Sequence, residues 1–284
     1  MTDTIQRVSA TEGEQVQRAN ESGLQPVVFI HGLWLLPSSW DRWAALFEEA
    51  GFSAVKPGWP GDAESVADAR AHPQALAGRS VGQVVDYLSG VVRQLKTRPA
   101  IIGHSFGGLF TQILAGRGLA SVSVAIDPAP FRGVLPLPFS ALKSAFPVLG
   151  NPANRGKAVS LTYEQFRYAF ANAVTEAEAK ELYGAYAVPA PGKPLFQAAF
   201  ANVNPGTEVK VDTTNPQRGP LLIIEGDTDH IVPWAIASAS YRRQKRNSGV
   251  TEIKKIPGRG HALVVDSGWK EVAEEALAFV RRFV

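Results

Sequence analysis

Pro99 opens a short apolar run, Ala100-Ile101-Ile102, that passes directly into Gly103-His104-Ser105-Phe106-Gly107-Gly108 and then into a helix-like stretch ending near Gly118. Few features restrict a fold as much as this one. A buried strand, a turn too tight for side chains at both flanking glycines, and a helix must follow one another without a linker. Such a turn lifts its central hydroxyl above the end of a strand. It also aims the free amides of the following helix at the same point. The strand must therefore lie inside a sheet whose neighbours run the same way, with helices returning the chain between strands.

The rest of the chain keeps that rhythm. Val27–Ile30, Phe52–Val55, Val122–Ile126, Leu221–Ile224 and Thr251–Ile256 read as short strands bounded by Pro, Gly or Asp. Ser39 is placed to cap a helix over 40–50 that stops at Gly51. Val81, Val84, Val85, Leu88, Val91, Val92 and Leu95 carry helical spacing across 79–96, and helices are expected over 108–117, from Trp234, and over 269–283. After Asp127 the rhythm breaks. Residues 128–150 are rich in Pro and aromatics, and Thr162–Gln165 and Thr175–Glu178 resemble capping boxes for helices over 163–173 and 176–187. The expected fold is α/β: a mostly parallel central sheet with helices on both faces. It is built from 25–127 and 219–284, is interrupted by an insertion over 128–218, and is preceded by a loosely held lead-in over 1–24 with a short strand near Ile5–Val8.

Composition excludes several functions. The 284 residues are 45% apolar and 19% charged, enough to build a sizeable core. There is no cysteine, so thiolate nucleophiles, thiolate metal sites and disulfides are ruled out. No run of eighteen uncharged apolar residues exists, and the first fifteen residues are polar, so no membrane partner, no leader and a cytoplasmic location are expected. The net charge is +3, and the basic run Arg242, Arg243, Lys245, Arg246 reads as a solvated helix end, so no nucleic-acid partner is expected. Neither a metal-ligand cluster nor a G-x-G-x-x-G motif is visible, and no metal or cofactor is expected.

A serine on such a turn needs a base, and the base needs a carboxylate. Of the five histidines, His261 is the best base, in the Gly258-Arg259-Gly260-His261 loop after the last strand. His31 ends the first clear strand and is expected to prop a neighbouring loop. His72 is expected on the surface, and His104 is expected to point away from the site. For the carboxylate, Asp229 before His230-Ile231-Val232-Pro233 is preferred. Asp227, which suits a turn cap, and Asp127, at the end of Val122–Ile126, remain open.

These pieces together resemble the α/β-hydrolase superfamily: His31-Gly32-Leu33-Trp34 after a strand, Gly103-His104-Ser105-Phe106-Gly107-Gly108, Gly226-Asp227-Thr228-Asp229-His230, and Gly260-His261, in the order serine, acid, histidine. The resemblance covers about 25–284. It implies Ser105 as nucleophile, Asp229 as acid and His261 as base. It implies an oxyanion hole at the backbone N–H groups of Leu33 and Phe106, and a helical cap formed by 128–218. Some members carry the acid where Asp127 stands. The serine departs from the haloalkane dehalogenases and epoxide hydrolases, which use aspartate at that place. The implied activity is hydrolysis of carboxylic esters or lactones on a small-to-medium apolar substrate. Carbon–carbon hydrolysis, perhydrolysis, a lyase reaction and a non-catalytic ligand receptor are the alternatives. Trp34 beside the oxyanion loop, and Phe131 and Tyr168 in the insertion, are the expected substrate-binding side chains.

Overall fold

The computed structural model describes residues 9–284, so the strand expected near Ile5–Val8 lies outside the described residues. Six parallel strands form the central sheet: β1 (Gln25–Ile30), β2 (Phe52–Val55), β3 (Ala100–His104), β4 (Val122–Ile126), β7 (Leu221–Gly226) and β8 (Thr251–Ile256), in the order β2-β1-β3-β4-β7-β8. Every residue of β3, β4 and β7 is buried. That is why these strands read as unbroken apolar runs: both faces are covered, so nothing selects for alternation. β8 lies at the edge and carries Lys254 and Lys255 exposed, charges that discourage pairing with another sheet.

Helices α2 (Asp41–Glu49) and α11 (Trp269–Arg281) pack together on one face. On the other, α5 (Phe106–Gly116) lies between α4 (Val81–Val92) and α10 (Trp234–Gln244), bonded to α10 through Gln112, which accepts from Ser240 at 3.0 Å and from Gln244 at 2.9 Å. α4 begins at a full capping box of Ser80 and Gln83, inside the amphipathic stretch. α5 starts two residues earlier than expected and is buried along its whole length.

Three expectations are corrected. Residues 10–22 are not a loose lead-in but a helix, α1 (Ala10–Ser22), with a Ser9–Glu12 capping box and buried Val16 and Ala19. Glu12 also accepts from the Gly58 amide at 2.8 Å and from the Tyr87 hydroxyl, tying the helix to the core. Ser39 does not cap α2. Its hydroxyl donates to Leu36 O at 2.7 Å inside a 3-10 turn, Pro37–Trp40, and α2 starts without a side-chain cap. Between β2 and α4 lies a short helix the sequence did not announce, α3 (Val66–Ala71), capped by Ser65.

Between β4 and β7 the chain builds α6 (Phe139–Leu149), a two-residue strand β5 (Ala158–Val159), α7 (Tyr163–Ala169), α8 (Glu176–Tyr186), a second two-residue strand β6 (Ala190–Pro191) paired with β5, and α9 (Lys193–Ala199). Thr162 forms a full capping box. Thr175 caps one way only, because Glu178 turns instead to the Ser267 amide. The segment leaves and returns side by side: the Arg132 amide donates to Val209 O at 2.8 Å. α6 stands where the sequence, dense in proline, reads as irregular. Pro138 occupies its N-cap and Pro147 lies inside its last turn.

Candidate active site

Ser105 sits between β3 and α5 with φ +57° and ψ −119°, a left-handed conformation that a serine adopts only when its surroundings enforce it. They do so by close approach. A Cβ on Gly107 would stand 2.0 Å from Ile30 O, and one on Gly32 would stand 2.7 Å from Ser105 Cβ. Thus β1 and its following loop press against the turn, and only glycine fits at both contacts. The Ser105 amide donates to Ile126 O at 2.9 Å, which extends the β3–β4 pairing through Ser105 itself. Ser105 is 5% exposed.

Asp229 and His261 meet from neighbouring loops. His261 Nδ1 lies 2.6 Å from Asp229 Oδ2, and both residues are buried. The other oxygen of Asp229 accepts from the amides of Ile231 at 2.6 Å and Val232 at 3.0 Å, so the carboxylate is held at both ends. His261 Nε2 is buried and has no hydrogen-bond partner among the described residues; in particular, no hydrogen bond joins it to Ser105 Oγ. Phe170 places its ring against that of His261 edge to face, centroids 4.9 Å apart.

The two competing carboxylates separate by environment. Asp127, with φ +40°, accepts from the Gly226 amide at 2.9 Å through Oδ1 and leaves Oδ2 unpaired, 3.9 Å from His261 Nδ1. Burial, and then the charge of Asp229, push its carboxyl well above the usual range, which favours the neutral form. Asp227 is exposed and accepts from the Gly258 amide at 2.7 Å, pinning the turn as a cap would. Glu225, the residue before Gly226 in β7, is also buried with both oxygens unpaired. Burial first, and Asp229 next, raise it to about 8.

The remaining histidines part as follows. His31 bridges Gly32 O at 2.9 Å and Asp62 at 2.8 Å and stacks on Trp59, so it props the loop. His72 is exposed and pairs with Asp68. His104 does not point away. Its ring lies 4.5 Å from that of His261, fully buried with both nitrogens unpaired, and burial together with His261 holds its basicity well below the ordinary range. A neutral ring in that place packs against His261 without competing for its proton. His104, Asp127 and His261 bring potential metal ligands within 4.8 Å of one another, the one such group among the described residues. All three are buried, and His261 Nδ1 is committed to Asp229.

A cavity of about 210 Å³ opens over Ser105. Its walls are almost wholly apolar: Trp34, Phe106, Phe131, Val134, Leu142, Ile231 and Ile236 among them, with contributions from α6 and α9. Trp34 and Phe131 stand where substrate contact is expected. Trp34 has φ +64°, donates from its indole to Val159 O at 3.0 Å and meets Phe170 edge to face. Tyr168 does not line the cavity. Its ring packs on His230, whose Nδ1 lies 2.8 Å from Tyr168 O, and carries Lys143 Nζ 3.9 Å from its centroid. The amides of Leu33 and Phe106 have no hydrogen-bond partner among the described residues. A larger groove, lined by Arg79, Tyr87, Arg117 and Glu208, holds none of these residues.

Solved structures share the architecture at low sequence identity. They include a monoacylglycerol lipase of Paleococcus ferrophilus (TM-score 0.63, 20% identity, covering 91% of this chain and 95% of that one). An extracellular alpha/beta-hydrolase from a Paenibacillus species aligns with TM-score 0.65 at 18% identity over 89% of this chain and 98% of its own. A thermophilic esterase from Thermogutta terrifontis aligns with TM-score 0.61 at 16% identity over 91% and 90%. No curated protein sequence matches this one. The model of the alpha/beta hydrolase family matches residues 27–275, and the chain belongs to that family.

Proposed function

We propose that the protein is a serine hydrolase of carboxylic esters, with Ser105 as nucleophile, His261 as base and Asp229 as the carboxylate that holds it. The observation that carries this reading is the 2.6 Å Asp229–His261 bond, which leaves a buried, unpaired Nε2 in a loop that also meets the elbow through His104. His261 Nε2 takes the hydroxyl proton as Ser105 Oγ attacks the acyl carbon, a contact that closes when substrate is bound. The tetrahedral oxyanion lies between the amides of Leu33 and Phe106, each worth about 2.7–4 kcal/mol in comparable sites. The imidazolium, stabilised by Asp229, then protonates the departing alcohol. A water deprotonated by the same nitrogen attacks the acyl-enzyme, and its proton returns to Ser105 as the acid leaves.

Residues 128–218 act as the cap, and the cavity they share with Ser105 supports a small-to-medium apolar acyl group. A fluorophosphonate probe and a series of p-nitrophenyl esters of rising chain length test the reading. The native protein is expected to label and to turn the esters over, with Ser105→Ala losing both, kcat falling by about 10⁵–10⁶. A native protein that neither labels nor hydrolyses any ester of the series would falsify it.

A further inference from the structure

The described residues expose eleven large apolar side chains, and seven of them fall in two short stretches: Leu135, Leu137, Phe139, Leu142 and Phe146, and Phe200 and Val203. Helix α6 buries only Val148 and Ser144, whose hydroxyl bonds His230 O, while its largest side chains, Phe139 and Phe146, stand 79% and 70% exposed on the same side as Leu142. α9 packs against α6 and brings Phe200 and Val203 to its end. A contiguous apolar face of this kind on a soluble fold marks a surface that meets something other than water.

Two observations say what it meets. The face is continuous with the cavity: Leu135, Leu137 and Leu142 are exposed and also line the space that reaches Ser105. The charges within 128–163 are of one sign: Arg132, Lys143, Arg155 and Lys157, with no Asp or Glu. On α9, Lys193 is offset by Glu208, which accepts from Gln197 at 2.7 Å. Arg132, Lys143, Arg155 and Lys157 are exposed. Apolar side chains interspersed along and beside α6 with exposed cations, at the mouth of a mostly apolar cavity, match the chemistry of an interface with acyl chains beneath anionic headgroups.

We propose that this face docks the protein onto an anionic lipid surface, with the mouth of the cavity turned toward the acyl layer. No membrane partner is expected from the sequence because it has no long apolar run, and among the described residues no helix is long and apolar enough to cross a membrane. A docking face assembled from separated side chains leaves no such run. The contact itself does not depend on the esterase reading, although under that reading it brings lipid-borne esters to Ser105.

Sedimentation of the full chain with phospholipid vesicles at low and high salt tests this. Phosphatidylglycerol-containing vesicles are expected to carry the protein down more strongly than phosphatidylcholine alone, with the difference falling as salt rises. Phe139→Ser/Phe146→Ser is expected to lower vesicle affinity by at least about tenfold while melting temperature and turnover of a soluble acetate ester stay at native values. Arg155→Glu/Lys157→Glu is expected to remove the preference for anionic vesicles alone. Ser105→Ala protein is expected to bind vesicles as the native chain does, which separates failure of docking from failure of the hydrolase reading. Native protein that stays in the supernatant, or a phenylalanine variant that binds undiminished, overturns the proposal. So does a native dimer that binds no vesicles and that the phenylalanine substitutions split, which would assign the face to a second copy of the chain.

Discussion

The β3–α5 elbow and the α6–α9 face use apolar residues in opposite ways. Along the elbow and α5 every residue from Ala100 to Gly116 is buried, glycines stand where a single extra carbon would collide, and the backbone is held in a conformation it would not choose. Around α6 the bulkiest side chains face outward and a serine faces in. The first region is over-determined, because sheet pairing, helix packing and loop contact all act on one residue. The second is under-determined by the core, so its composition reflects what lies outside the protein. Rigidity at the chemistry and exposed adaptable surface at the entrance are complementary demands on one site.

The sharpest way to break that contrast is at the acid. Asp229→Asn is expected to lower kcat on a p-nitrophenyl ester by about 10⁴, as loss of the correct tautomer does. Asp127→Asn replaces a carboxyl that burial biases toward the neutral form and is expected to change kcat by less than about tenfold. The reverse ranking in steady-state kinetics would move the acid to β4.

Next in size is Gly107→Ala. With Ile30 O only 2.0 Å from the new carbon, the elbow and β1 must separate, and a stability loss of about 3 kcal/mol or more is expected in urea unfolding. A variant of native stability would show that the elbow is less confined than its packing implies.

Glu225 tests the electrostatic side of the buried region. Its pKa lies above its unfolded value, so it contributes stability fully present below about pH 4.5 and lost as pH rises through about 8. Glu225→Gln removes that titration. The variant is expected to match the native protein near pH 4.5, to gain on it by about 1.4 kcal/mol per pH unit up to about pH 8, and to keep that lead at about pH 9.5, read from unfolding curves at each pH. A constant difference across that range would mean that the carboxyl does not titrate there. The smallest effect is expected on the outer face, where Phe139→Ser should alter stability by less than about 0.5 kcal/mol. A larger loss in the same curves would mean that Phe139 is part of the fold's packing.

What could be read in advance follows the same division. The central strands, Val122–Ile126 among them, and the family were legible because burial on both faces favours apolar runs and because the elbow needs glycines at fixed places, whereas the edge strand Thr251–Ile256 was bounded by its flanking glycines and proline. The Asp229–His261 contact followed from loop position. The place of His104 did not, since a residue's neighbour in sequence says little about which way its ring turns at a sharp bend. Helix α1 was legible in principle: Ser9-Ala10-Thr11-Glu12 is a capping box, but only Val16 and Ala19 form its apolar stripe, too thin to register as periodicity. α6 was hidden because its two prolines read as breakers and its apolar pattern faces away from the core. Tyr168 was misjudged because aromatic spacing on a helix does not say which face meets the cavity.

The neck at Arg132 and Val209 has a consequence for how such a protein changes over time. The excursion between those residues leaves and rejoins the body through one hydrogen-bonded crossing, while the strands that hold Ser105, Asp229 and His261 are paired independently of it. Closing a longer or shorter chain across a fixed gap changes the free energy only logarithmically with length. Insertions and deletions between the two ends therefore leave sheet register untouched, whereas Phe170, whose ring packs on His261 and whose O accepts from the Ala262 amide at 3.0 Å, ties any wholesale replacement to the loop that carries His261.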